Sequence, residues 1–137
     1  MKDKKPSLLR TLDTSLAIVG EREDGLLEMR FKTEDYIIDL DFIQETWEVF
    51  NELDPVDKAL LVVAGKYGNI TKEAREVEMF RTDSYNAFKA IAIVVPSIHK
   101  RLLGNLFFAL RRKKPDFPYK MFPTEIDAMT WLAQFKA

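Results

Sequence analysis

Two short apolar runs constrain this chain most. Ala59-Leu60-Leu61-Val62-Val63-Ala64 and the stretch from Lys89 to Val95 carry apolar side chains at odd and even positions alike. Gly65 and Gly68 follow the first run and Pro96 follows the second. Runs this short, bounded by turn residues, are strands covered on both faces, as in a parallel sheet between helical layers.

The segments around these runs have helical spacing. From Asp41 the apolar positions are Phe42, Ile43, Thr46, Val49, Phe50 and Leu53. That predicts a helix with Asp41 as its N-cap and Glu45 in its first turn, ended by Asp54-Pro55. Thr71 is the expected N-cap of a helix to about Arg81, with Ala74, Val77 and Phe80 inward. Ser97 caps a helix from Ile98 to about Lys113, before Pro115. Tyr119 to Phe122 is a short strand. Thr124 and Asp127 make a capping-box arrangement for a last helix lined by Ala128, Met129, Leu132 and Phe135.

Upstream, Leu16 to Val19 reads as a strand and Asp24-Gly25 as a hairpin turn. Leu26 to Lys32 alternates, with Leu27, Met29 and Phe31 on one face and Glu28, Arg30 and Lys32 on the other. Tyr36-Ile37-Ile38 either begins a third strand or leads into the first helix. The expected whole is one α/β domain over residues 1–137, with a flexible tail at 1–12 and a largely parallel sheet joined by right-handed crossovers.

Composition narrows the chemistry. There is no Cys, which excludes disulfides, thiolate catalysis and Cys-ligated zinc. A net charge of −1 gives no general attraction for nucleic acid or an anionic membrane. The start, Met1-Lys2-Asp3-Lys4-Lys5-Pro6, lacks the apolar stretch of a signal peptide. No apolar run approaches the ~20 residues of a membrane helix. A cytoplasmic protein is the expectation.

No catalytic constellation emerges. His99, the only histidine, lies two residues from Ser97 at a helix start, where the two do not face each other productively. No Gly-x-Ser-x-Gly elbow occurs. Asp35, Asp39, Asp41 and Glu45 are acidic neighbours without calcium-loop spacing, and carboxylates at a helix start already suit its dipole. Gly65-Lys66-Tyr67-Gly68-Asn69-Ile70-Thr71 follows a strand and opens a helix, a position where α/β folds bind anions. It lacks both glycine-rich fingerprints, so a plain turn with a Thr cap is favoured.

The helix from Ile98 is the most informative segment. Ile98, Leu102, Leu103, Leu106, Phe107 and Leu110 fill one half of it. The other half is basic, yet it holds Gly104 and Phe108. Lys100, Gly104, Phe108 and Arg111 form one ridge. Glycine costs ~1 kcal/mol inside a helix and often marks a close approach. The ridge is therefore a candidate contact for a protein partner or a second copy, with the Asp39–Glu45 region as an acidic counterpart.

Several stretches resemble the C-terminal half of the SpoIIAA-like, STAS-type domains, many of whose bacterial members stand alone. They are Ala90-Ile91-Ala92-Ile93-Val94-Val95-Pro96-Ser97, Arg101-Leu102-Leu103-Gly104-Asn105-Leu106-Phe107, Phe117-Pro118 with Phe122, Glu125 to Ala128, and Trp131-Leu132. Gly68-Asn69-Ile70-Thr71-Lys72-Glu73-Ala74-Arg75 is similar to the start of their middle helix. The resemblance implies a SpoIIAA-like sandwich: a four- or five-stranded, mostly parallel sheet with an N-terminal hairpin and about four helices. In the anti-sigma-factor antagonists of that family a serine at a helix start is phosphorylated to switch partner binding. Their Asp-Ser-Ser-Gly motif is absent here, and Thr71 is the nearest hydroxyl in the comparable place. The functional expectation is a non-enzymatic interaction domain without metal or cofactor, binding a protein partner or itself. The alternative is a carrier of a small apolar ligand or lipid between sheet and helices.

Overall fold

A computed structural model describes residues 8–53, 58–75, 88–98, 100 and 118–135. The elements run β1 (Leu8–Asp13), β2 (Ala17–Arg22), β3 (Leu27–Phe31), β4 (Asp35–Ile38), α1 (Leu40–Leu53), β5 (Ala59–Val63), β6 (Tyr67–Ile70), α2 (Lys72–Arg75), β7 (Ala90–Val94), β8 (Tyr119–Phe122) and α3 (Glu125–Leu132), which ends in a 3₁₀ turn, Ala133–Phe135. Ile98 and Lys100 are also helical.

The main sheet has the order β1-β2-β3-β5-β7-β8, and β4 and β6 form a separate two-stranded sheet. The first three strands are antiparallel. From β3 onward every pairing is parallel. The two apolar runs become β5 and β7, adjacent and in register from Ala59↔Ala90 to Val63↔Val94. Leu61, Ile91 and Ile93 are buried in them.

Side-chain parity sorts the core into two layers. On one face Val19, Leu27, Met29, Leu60, Val62, Ile91 and Ile93 pack with Phe42, Ile43, Phe50 and Leu53 of α1, and with Ala74 and Phe88. On the other, Ala59, Leu61, Ala90, Ala92 and Val94 pack with Phe122 and with Ala128 and Leu132 of α3. Small residues on this second face allow α3 to come close to the strands. The strand steps β3, β5, β7, β8 all advance in one direction across the sheet. Right-handed crossovers through α1 and α2 put both on one face, and α3 covers the other.

Three expectations are corrected. Residues 8–13 are not tail but an edge strand, in register with β2 from Leu8↔Arg22 to Asp13↔Ile18. Its addition makes six strands in the main sheet. A bulge between Leu8 and Arg10 interrupts the strand, and Leu9 is exposed. Such an edge lacks the clean period-2 pattern of a half-buried strand. Second, α1 begins at Leu40 because Asp39, not Asp41, is its cap: Asp39 Oδ1 accepts from the Phe42 N–H at 2.9 Å. Third, the presumed turn residues Tyr67 to Ile70 are strand β6. The open choice for Tyr36-Ile37-Ile38 resolves as strand β4, paired with β6 and outside the main sheet.

Candidate functional site: a small sheet beyond the parallel strands

β4 follows the end of β3, and β6 follows the end of β5. The two lie parallel with the register Asp35↔Tyr67, Tyr36↔Gly68, Ile37↔Asn69 and Ile38↔Ile70. One face of this small sheet is held to the core. Ile38 is buried, and Tyr36 and Ile70 pack against the α1-side cluster. The Tyr36 ring stacks on Phe31 at 4.1 Å between centroids and 10° between planes. Its hydroxyl accepts from the Gly65 N–H at 3.1 Å. Burial raises the Tyr36 phenol above its ordinary pKa, and the nearby Glu34 charge adds to the rise.

Tyr36 also accounts for two glycines. A Cβ at Gly68 would lie 2.3 Å from the Tyr36 ring, and one at Gly65 would lie 2.6 Å from the carbonyl oxygens of Thr33 and Glu34. The chain crosses the ring where only glycine fits. Three donors of this segment are used within the fold. Gly65 N–H goes to Tyr36, Tyr67 N–H to the Glu34 carbonyl at 2.8 Å, and Thr71 N–H to the Ile38 carbonyl at 2.9 Å. An anion would have to displace these bonds, which favours a structural role for the segment as strand β6 leading to the Thr71 cap.

Thr71 is the cap of α2: its Oγ1 accepts from the Ala74 N–H at 3.1 Å. Lys100 comes to the same place, since its Nζ donates to Asn69 Oδ1 at 2.9 Å, beside the end of β6. Two candidate residues from separate segments therefore meet at one strand. Gly104, Phe108 and Arg111 of the expected ridge, and His99, lie outside the described residues.

The outward face carries Asp35, Ile37, Tyr67 and Asn69, all exposed. Ile37 is 62% and Tyr67 59% exposed, and Ile98, on the helical segment that carries Lys100, is 60% exposed. Lys66 Nζ sits 5.5 Å from the Tyr67 ring centroid. Sequence reasoning missed this face because Tyr36-Ile37-Ile38 reads as one apolar block. Tyr36 and Gly68 fix which side faces in, but they are opposite each other only through the β4–β6 pairing, which no local pattern announces.

The acidic neighbours do not converge. Asp39 caps α1, and Glu45 accepts from Ser15 N–H at 2.9 Å and Ser15 Oγ at 2.5 Å. Among the described residues no three His, Cys, Asp or Glu side chains are grouped to hold a metal.

A second charged cluster lies near α3. Arg22, only 7% exposed in its side chain, contacts Asp24 at 3.0 Å and Glu28 at 3.4 Å. Arg30 meets Glu125 at 2.7 and 3.1 Å and Glu28 at 3.4 Å. The Glu125 bond holds the Arg30 guanidinium above its ordinary pKa against the effect of burial. These five side chains engage one another, with the buried Arg22 Nε left without a hydrogen-bond partner, and the cluster clamps the N-terminal strands to α3.

The family model described as a domain of unknown function, DUF7793, matches residues 21–136. The chain belongs to that family. No curated protein matches the DUF7793 chain. Among solved structures it is similar to an uncharacterized protein of the DUF3478 family with a SpoIIAA-like fold, from Shewanella loihica PV-4. That likeness has 11% identity and a TM-score of 0.58 over 96% of this chain and 98% of the other. It shows a SpoIIAA-like α/β fold, as the sequence resemblance implied. Among the described residues of the DUF7793 domain, no helix is long and apolar enough to cross a membrane.

Proposed function

We propose that this DUF7793 domain is a non-enzymatic, cytoplasmic interaction module that binds a protein through the outer face of β4 and β6. One observation carries the reading: Ile37 and Tyr67 stand 62% and 59% exposed on one face of a sheet whose other face is pinned to the core. A single exposed apolar residue is ordinary, but neighbouring ones on a rigid support are characteristic of contact surfaces. Tyr is also favoured at such surfaces, because its ring is apolar and its hydroxyl can stay wet. Lys100 borders the face, so the expected contact residue and the platform belong to one surface. The STAS-type likeness of the C-terminal half points the same way, toward switching by association.

Photo-cross-linking in the source cells tests this. A benzophenone side chain in place of Tyr67 is expected to give a discrete protein adduct. The same side chain in place of Ile126, 79% exposed on α3, serves as the control. Position 67 giving no more adduct than position 126 would remove the platform as a binding surface.

A further inference from the structure

We infer that the protein bound by this platform is a second copy of the same chain, packed face to face about a two-fold axis parallel to β4 and β6. The inference rests on the proposed binding role of the platform. Its basis is how charge is distributed around Ile37 and Tyr67. On the β4 side the exposed charges are acidic, Glu34 and Asp35 at the start of the strand and Asp39 and Asp41 just past its end, while exposed Lys32 before them is turned back to the Thr14 carbonyl and Asp13. On the β6 side they are largely basic: Lys66 before the strand, Lys72 just past it, and half-buried Lys100 alongside Asn69. Glu73 is the exception.

The register places these charges at matching levels. Asp35 is opposite Tyr67, so Glu34 and Asp35 are level with Lys66. The pairing ends at Ile38↔Ile70, and just beyond it Asp39 and Asp41 flank the β4 end while Lys72 and Glu73 flank the β6 end. A half-turn about an axis along the strands keeps each level and exchanges left for right. Each copy's β4 then lies over the other's β6, with Glu34 and Asp35 over Lys66 at the start of the strands, Asp39 and Asp41 facing the mixed pair Lys72 and Glu73 past their ends, and Ile37 and Tyr67 between them. A half-turn about an axis across the strands would instead put acid on acid and lysine on lysine. Charge thus selects one of the two arrangements, and the interface is self-complementary as a two-fold contact requires.

The platform is small, with four residues in each strand. A stable interface takes roughly 800 Å² per partner. The dimer is accordingly weak and concentration-dependent, and added salt loosens it.

Sedimentation equilibrium up to millimolar concentration tests the arrangement. Asp35→Lys alone and Lys66→Glu alone each place two like-charge contacts in a homodimer, and each should weaken association by at least about tenfold. Mixing the two variants should restore association, because every contact in the mixed dimer again joins an acid to a lysine. Glu34→Lys with Lys66→Asp repeats the test with the neighbouring acid if the first pair disturbs folding, which circular dichroism reports. A dimer indifferent to all four changes uses another surface, and the inference fails. A wild type that stays monomeric also overturns it. In that case an adduct from position 67 to a different protein leaves the broader binding reading standing, and no adduct at all removes both.

Discussion

Tyr36 explains more of the local chain than any other single residue. Gly65 and Gly68 look in the sequence like the glycines of a phosphate loop. They are instead the two points at which the chain passes the Tyr36 ring. The sequence cannot show this, because ring and glycines are about 30 positions apart and meet only through the β4–β6 pairing. Gly68→Ala should therefore overpack the contact and cost about 1–3 kcal/mol in urea denaturation. In a Tyr36→Leu background the same change should cost clearly less, the non-additivity that marks direct contact. The phenol adds a pH test. Its folded pKa is raised, so its stabilising contribution is complete below the ordinary value of 10.0 and is lost as pH rises through that value and the higher folded one. The urea midpoint should fall across this alkaline range in the wild type, and Tyr36→Phe should remove that part of the fall. Thr71 is a separate case: as a cap it should tolerate Asn and lose ~1 kcal/mol as Ala. A phosphate-sized mass increase at Thr71 in protein from its own cells would assign it a switching role as well.

At the scale of elements, the strands with strong intrinsic signals were legible and the context-dependent ones were not. β5 and β7 could be read from apolar content alone, and the β2–β3 hairpin from Asp24-Gly25, where Gly25 takes a φ of 90°. β6 contains Gly68 and Asn69, both poor strand formers, and is a strand only because β4 lies beside it. β1 is an edge with a bulge, so its exposed side chains resemble a tail. The last helix was legible through its cap: Thr124 Oγ1 accepts from the Asp127 N–H at 3.3 Å. What no local pattern reveals is the clamp from β3 to α3, because Arg30 and Glu125 meet across almost the whole chain. Both are about one-third exposed, and their two-bond geometry is of the stronger kind. A double-mutant cycle with Arg30→Met and Glu125→Gln should give a coupling of about 1 kcal/mol that shrinks in high salt. A coupling near zero would mean that packing alone holds α3.

For the whole molecule, the decisive asymmetry lies between the two sheet faces. The sequence shows both to be covered, since β5 and β7 are apolar at every position. It does not show that α1 packs on Leu60, Ile91 and Ile93 while α3 packs on the face that carries Ala59, Ala90 and Ala92. That division follows the layering: α1 and α2 lie on one face, and α3 covers the other. Size tolerance should then differ. Leu60→Ala, beneath the α1 layer, leaves a cavity and should cost about 2–5 kcal/mol. Ala92→Leu, fully buried on the α3 side, adds bulk where strand and helix are close and should cost about 1–3 kcal/mol by displacing α3. The platform of β4 and β6 is anchored on the α1-side cluster, not on this face. Ala92→Leu should therefore lower the melting temperature while leaving self-association unchanged below it. Gly68→Ala, which shifts the support of the platform, should disturb both. If Ala92→Leu weakened association as strongly as Gly68→Ala, the two layers would be coupled, and the small sheet would not be an independently anchored contact surface.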